Sequence, residues 1–370
     1  YRCDLGTTLR RDNQNEEAIL CFRKALEIEP DHWDAYYKLN QTLKSEGHDN
    51  LEEDIKRLRR EIENTPTDPI SSPANKEVGS ALHAMENVVA LITAGRAGSF
   101  FFHSLFDNHP EIWTTPGVYF KGFFEKNVWE TLSGVSGPTS NYRVLVEKFC
   151  DHYDVLFDAR SNQPVFGNPM LGTHGVGQSS GLATMDEDRT HSLSLDRKAF
   201  IDHLLKLLSL FKQVDGKMFF KLIHLAYNET LSLPRQKSAL FYHIHNPKPD
   251  DTIHFLSLFK NARFIKIIRE PLQCLESWLY IFHSEKGDKK ADTNSLDETA
   301  LPVNFRKDLV NQTCLLKYQQ SINRIGHLFH EFGFFESNFA PAMVVRLEDI
   351  KKRPRELMPM IADWIGVNDH

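Results

Sequence analysis

The chain has 370 residues, 41% hydrophobic and 25% charged, the balance of a soluble globular protein with room for one large domain and a smaller module. Its net charge of −6, from 44 basic and 50 acidic residues, argues against nucleic acid as the main partner, so any anionic ligand needs a local positive pocket. Five cysteines without CxxC spacing fit a reducing compartment better than disulfides or zinc, and with no secretory leader or membrane-length apolar run the expected location is cytoplasmic.

In the first thirty residues, Leu5, Gly6, Leu9, Ala18, Phe22, Ala25 and Pro30 fall on the small and large packing positions of a helix–turn–helix repeat of about 34 residues. Ala18 and Ala25 are small where two helices approach closely, and Pro30 ends the second helix. This stretch resembles a tetratricopeptide repeat. A degraded second copy begins near Trp33, with Tyr36, Leu39 and Leu43 on its first helix and Leu51, Ile55, Leu58 and Ile62 as a stripe on its second. Residues 1–64 thus read as an all-α repeat segment. Two repeats are too few to stand alone, so the segment is expected to pack on the domain after it or to continue upstream. The resemblance also implies a protein partner or self-association. The Pro- and Ser-rich stretch TPTDPISSPA makes 65–75 a linker, leaving 76–370 as the main domain.

A helix over Lys76–Glu86 leads into the apolar run Val88–Ile92, which breaks at Thr93-Ala-Gly-Arg-Ala-Gly-Ser before a phenylalanine-rich segment ending at Asn108-His-Pro. That pattern reads as a buried strand, a glycine-bracketed turn and a helix. A turn of this kind leaves backbone N–H groups directed at one spot, a ready anion site, to which Arg96 and Ser99 add a guanidinium and a hydroxyl. Trp113–Lys121 reads as a second strand. Phe124–Cys150 reads as two helices split by Ser133–Ser140, and 161–195 as a Gly- and Ser-rich loop. Asp196 is placed to cap a helix reaching Lys212, and Met218–Leu225 (MFFKLIHL) reads as a strand. Strand Leu240–His245, a helix over Asp251–Lys260 capped by Asp250 or Asp251, strand Arg263–Ile268 and helix Leu272–Phe282 then alternate as in a parallel α/β sheet. A polar loop at 284–303, a long helix Phe305–Phe332, strand Ala342–Leu347 and helix Pro354–Ile365 complete the chain. The expected fold is α/β, a central parallel sheet flanked by helices, preceded by the all-α repeat segment.

Parallel sheets bind ligands at the carboxyl ends of their strands. There this sequence places Arg96, Gly98 and Ser99, then His243, His245 and Asn246, then Arg269 with Ser277 eight residues on. Arg269 and Ser277 can converge on a second anion, or pair with a carboxylate and pack. His243 and His245, two apart on a strand, share a face, but no third ligand at metal spacing accompanies them. A histidine at a strand end beside a phosphate loop suits a general base, and equally a hydrogen-bonded core histidine. Trp113, Tyr119, Phe120 and Phe123 suit either the core or stacking on an acceptor.

From about residue 88 onward the order of motifs resembles the sulfotransferase family, whose fold is related to that of P-loop nucleotide-binding proteins. GRAGSFFFHSLFDNHPEI is similar to the family's 5′-phosphosulfate loop, and FIKIIREPLQCLESW to its 3′-phosphate motif with Arg269 and Ser277 at the matching spacing. VVRLEDIKKRPRELMPMIADWIGV is similar to its C-terminal strand and helix, and FYHIHNP lies where the family carries a catalytic histidine, a place taken by His245. Phe100 stands where the family has a second hydroxyl, His243 stands for its lysine, and Glu125 is the nearest carboxylate to the glutamate that some relatives use.

The resemblance implies transfer of a sulfuryl group from 3′-phosphoadenosine 5′-phosphosulfate (PAPS) to a hydroxyl or amine of a glycan, peptide or small metabolite, leaving 3′-phosphoadenosine 5′-phosphate. It implies donor contacts from Gly95, Arg96, Ala97, Gly98, Ser99 and Phe100 on one phosphate and from Arg269 and Ser277 on the other, with Arg96 and His245 catalytic. No metal is called for, because the arginine and the helix end supply the positive charge. Two other expectations are a catalytically inactive repeat scaffold and a P-loop nucleotide phosphotransferase. The latter needs Gly-Lys-Ser/Thr at the loop's end, where this chain has Ala-Gly-Ser-Phe.

Overall fold

A computed structural model describes residues 2–28, 33–46, 60, 75–93, 97–116, 120, 122–125, 127–161, 188, 190–245, 249–274, 277 and 340–368. The second helix of the degraded repeat (apart from Arg60), the linker (apart from Asn75), most of the 161–195 loop, most of the expected helix 272–282, the polar loop at 284–303 and the helix at 305–332 lie outside them.

The N-terminal helices α1 (Arg2–Arg11), α2 (Asn15–Ile28) and α3 (Trp33–Ser45) pack around Ala18, Phe22, Ala25, Ala35 and Leu39, all buried. Gly6 is the close-approach point: a Cβ there would meet the Phe22 ring at 2.7 Å. Leu5 departs from its expected packing position and is 42% exposed.

The sheet-bearing part of the chain begins with α4 (Lys76–Ala84), whose N-cap Asn75 accepts from the Glu77 and Val78 amides. Its sheet consists of β1 (Val88–Thr93), β2 (Ile112–Trp113), β3 (Ala239–His245), β4 (Arg263–Ile268) and β5 (Ala342–Arg346), in spatial order β2-β3-β1-β4-β5, all parallel. This is an α/β fold, with β1 at the centre and buried along its whole length. Alternate residues serve opposite layers. Val88, Ala90 and Ile92 join the front core with α4, α6 (Val128–Ser133), α7 (Tyr142–His152), α8 (Arg197–Leu208), α9 (Gly216–Thr230) and α10 (Pro249–Leu258). Val89 and Leu91 join the back core with α5 (Ser99–Ser104), α11 (Leu347–Lys352) and α12 (Pro354–Ile365).

Sequence and structure part in several places. MFFKLIHL is not a strand but the middle of α9, capped by Asp215; residues 219–228 are buried all round, and such a helix shows no polar face to betray its period. The expected strand 113–121 is only Ile112–Trp113, ending before Pro116. The helix after the loop stops at Ser104, and Asn108 takes a left-handed φ of 59° within the turn beyond it. α10 begins at Pro249, so both aspartates lie within its first turn. The Asp196 cap holds, accepting from the Ala199 amide at 3.0 Å, although α8 ends at Leu208. No described helix is long and apolar enough to cross a membrane.

His224 is fully buried in the front core between Phe120 and Phe220, its Nδ1 2.9 Å from the Phe220 carbonyl. Burial pushes it, and His103 on α5, from 6.5 down to about 4. Between those values the unfolded chain binds the extra protons, so this part of the stability is complete above about pH 6.5 and is lost as pH falls toward 4. Asp107, pushed up to about 7 by burial, acts oppositely and loses its contribution as pH rises through 7. His224→Phe keeps the ring and removes one titration. Its urea midpoint should fall less between pH 7 and pH 5 than that of the wild type; an unchanged difference would contradict buried neutral His224.

Candidate active site

The strand order reverses about β1: the chain leaves it toward β2 and β3 on one side, then crosses to β4 and β5 on the other. Such a switch point opens a crevice at the carboxyl ends of the central strands. Register brings the expected residues to that edge. Thr93, the last residue of β1, is level with His245, the last of β3, and Arg269 comes directly after the end of β4. Arg346 closes β5 beside it, level with Ile268.

Gly95 and Arg96 lie outside the described residues, as does Asn246. The rest of the loop is held from the back layer. Ala97 is buried with Phe102 and Leu347, and Gly98 caps α5 with φ 82°. A Cβ on Gly98 would lie 2.5 Å from Leu347 Cδ2, so this glycine is required twice, for its backbone angle and for its contact with the start of α11. Ser99 begins α5 and is 4% exposed. Phe100 turns the other way and packs half-buried against the front core. Phe100 is therefore an anchor joining the start of α5 to the other layer.

Arg269 is half-buried, with Nε and Nη2 at 3.4 and 3.3 Å from Gln273 Oε1 on the next helical turn. The Glu270 amide donates to Glu348 Oε1 at 2.9 Å, tying the turn after β4 to α11. Burial alone would raise the Glu348 carboxyl, but the Glu270 and Glu348 backbone N–H groups, with Arg346 and Arg269, hold it below the usual range. Two arginines and a charged glutamate thus share this part of the edge. Ser277 is helical and half-buried.

His245 is half-buried at the end of β3, and His243 is buried one step below it on the same face, with ring centroids 5.4 Å apart. The sequence reading missed the third histidine of this group. His103 on α5 lies 5.6 Å from His243, centroid to centroid, is 1% exposed, and has Asp107 at 4.0 Å one helical turn on. The signal was the i,i+4 pair in HSLFD, hidden in an apolar helix. Burial favours the neutral form of both residues, so they are not an ion pair. Among the described residues no three His, Cys, Asp or Glu side chains gather as a metal-holding group.

Glu125 sits on the front side, half-buried near Tyr153, with Oε1 2.9 Å from where a Gly122 Cβ would be. His245 extends the back-facing alternation of β3, Phe241 and His243, on the opposite face of the sheet. Trp113, Phe120 and Phe123 are at most 2% exposed and belong to the front core, which answers the choice left open for them. Tyr119 lies outside the described residues.

Compared with known proteins, the chain matches no family model, no curated protein and no solved structure.

Gly98→Ala should destabilise the fold by about 1–3 kcal/mol through overpacking and the left-handed φ, measured by urea unfolding. Adding Leu347→Ala should return part of the loss. Full additivity of the two losses would show that the loop does not rest on Leu347.

Proposed function

We propose that this chain is a sulfotransferase that moves a sulfuryl group from PAPS to a hydroxyl or amine acceptor, and that its N-terminal helices are a tetratricopeptide-like module. The observation that carries the reading is that Thr93, His245 and Arg269 stand at the carboxyl ends of three adjacent parallel strands with β1 in the middle. The described strand ends of those motifs share one edge of one sheet, which supports the reading. The residues there suit an anion with two phosphate positions: buried Ser99 at the start of α5 after β1, and Arg269 with Ser277 after β4. For the repeat module the support is the close packing of Gly6 on Phe22 with buried Ala18 and Ala25.

When bound, PAPS supplies an activated sulfuryl group whose departure leaves negative charge on the 5′-phosphate. The transfer resembles phosphoryl transfer, an in-line displacement through a loose state, and depends on positioning and charge stabilisation. Arg96 and the backbone amides of residues 95–100 meet the charge that develops on the leaving phosphate, and Ser99 adds a hydroxyl donor. Arg269 and Ser277 hold the 3′-phosphate and fix the donor without entering the chemistry. His245 takes the proton of the acceptor hydroxyl or amine as the bond to sulfur forms.

Labelled-sulfate transfer from PAPS to a panel of glycans, peptides and phenols tests the reading. Arg96→Ala should lower turnover by about 10²–10³-fold, as loss of one charge-stabilising donor does. A near-wild-type rate in that variant would remove Arg96 from the mechanism.

A further inference from the structure

Two carboxylates stand close to Arg269, and the structure commits each of them to a backbone amide. Glu270 Oε2 accepts from the Gln273 amide at 3.0 Å, capping the helical residues 271–274, and Glu348 Oε1 accepts from the Glu270 amide at 2.9 Å. Pro271, which has no N–H to satisfy, stands at the first helical position. The side chain that meets the guanidinium one helical turn on is neutral. It is Gln273, with Oε1 3.4 Å from Nε and 3.3 Å from Nη2.

A guanidinium is a planar fork of fixed shape. Nε and Nη2 make its side edge, and Gln273 takes that edge. Nη1 and the outer hydrogen of Nη2 make the end edge, which a phosphate can engage through two parallel hydrogen bonds. A carboxylate at position 273 would hold the side edge more strongly, but it would set a negative charge against the group that has to bind an anion. Arg269 and Arg346 already stand with Glu270 and Glu348 at this corner, so a third carboxylate would turn its balance negative. An amide supplies direction and leaves the charge intact.

We propose that Gln273 is a positioning residue for anion binding. It sets the plane of the Arg269 guanidinium through a neutral acceptor and turns the Nη1–Nη2 edge, with its full charge, toward a phosphate monoester. Arg269 is thereby oriented in advance, and little ordering remains to oppose binding. That the phosphate is the 3′-phosphate of PAPS rests on the function proposed above; the hold of Gln273 on Arg269 does not.

Two variants of the full chain separate orientation from charge. Gln273→Glu keeps the length and the acceptor and adds a charge, whereas Gln273→Leu keeps the helix-forming character and removes the acceptor. With 3′-phosphoadenosine 5′-phosphate as the probe, calorimetry should show affinity about threefold weaker in Gln273→Leu and about tenfold or more weaker in Gln273→Glu, with both urea midpoints close to that of the wild type. In the ligand-free chain, the Nε–H resonance of Arg269 is assigned by its loss in Arg269→Lys. It should stand apart from the averaged arginine signals in the wild type and in Gln273→Glu, and merge with them in Gln273→Leu. In sulfate transfer Gln273→Glu should raise the KM for PAPS by more than it lowers kcat, a split that a merely structural role would not produce. Wild-type affinity in Gln273→Glu, or an equal loss in the two variants, overturns the proposal. So does an Arg269 resonance already averaged in the wild type, or one unchanged in Gln273→Leu. A wild type that binds no nucleotide would count against the enzyme reading, and the Arg269 resonance would then still decide whether Gln273 orients the guanidinium.

Discussion

The structure depends on one constraint, the pairing of β1 on both sides within an all-parallel sheet. Because neighbours occupy both edges of Val88–Thr93 and helices cover both faces, this strand has no solvent-facing side. It can therefore be apolar throughout, and its end is the point about which the strand order reverses, with strands on either hand. The register that buries Leu91 opposite His243 also sets Thr93 opposite His245. A slip of one residue would exchange the front and back faces and send both histidines into the front core. The candidate site is thus a consequence of how the core is built.

Much of this was legible in the sequence because its signals were local. The runs Arg263–Ile268 and Pro354–Ile365 coincide with β4 and α12, each bounded by a proline or a charged turn. Val88–Ile92 needed only Thr93 added. Failures came where tertiary surroundings replaced local pattern. α9 looked like a strand because the front core surrounds it, and its one buried lysine, Lys221, is held by the Leu82 carbonyl and Glu86. β2 looked longer than it is because aromatic residues needed by the core continue past Pro116.

The site was legible to the same degree. Spacing put Arg269, His245 and the glycine loop at strand ends, and the fold placed those strands side by side. What spacing did not reveal was support from behind: Leu347 under Gly98, Phe100 crossing to the front layer, and His103 behind His243. Each joins residues distant in sequence or hidden in an apolar helix, and only packing exposes it. Their common effect is to hold a short, glycine-containing loop and one histidine against two layers, which lowers the cost of ordering a polar site at a sheet edge.

The central claim is that the edge formed by β1, β3 and β4 is a two-phosphate cradle. Titration calorimetry of the full chain with 3′-phosphoadenosine 5′-phosphate tests it most directly. One molecule should bind per chain, and Arg269→Ala should weaken binding by about tenfold to a hundredfold, the loss expected when a charged hydrogen bond to phosphate is removed. No binding by the wild type at millimolar nucleotide, or equal affinity in the Arg269→Ala variant, would contradict the account.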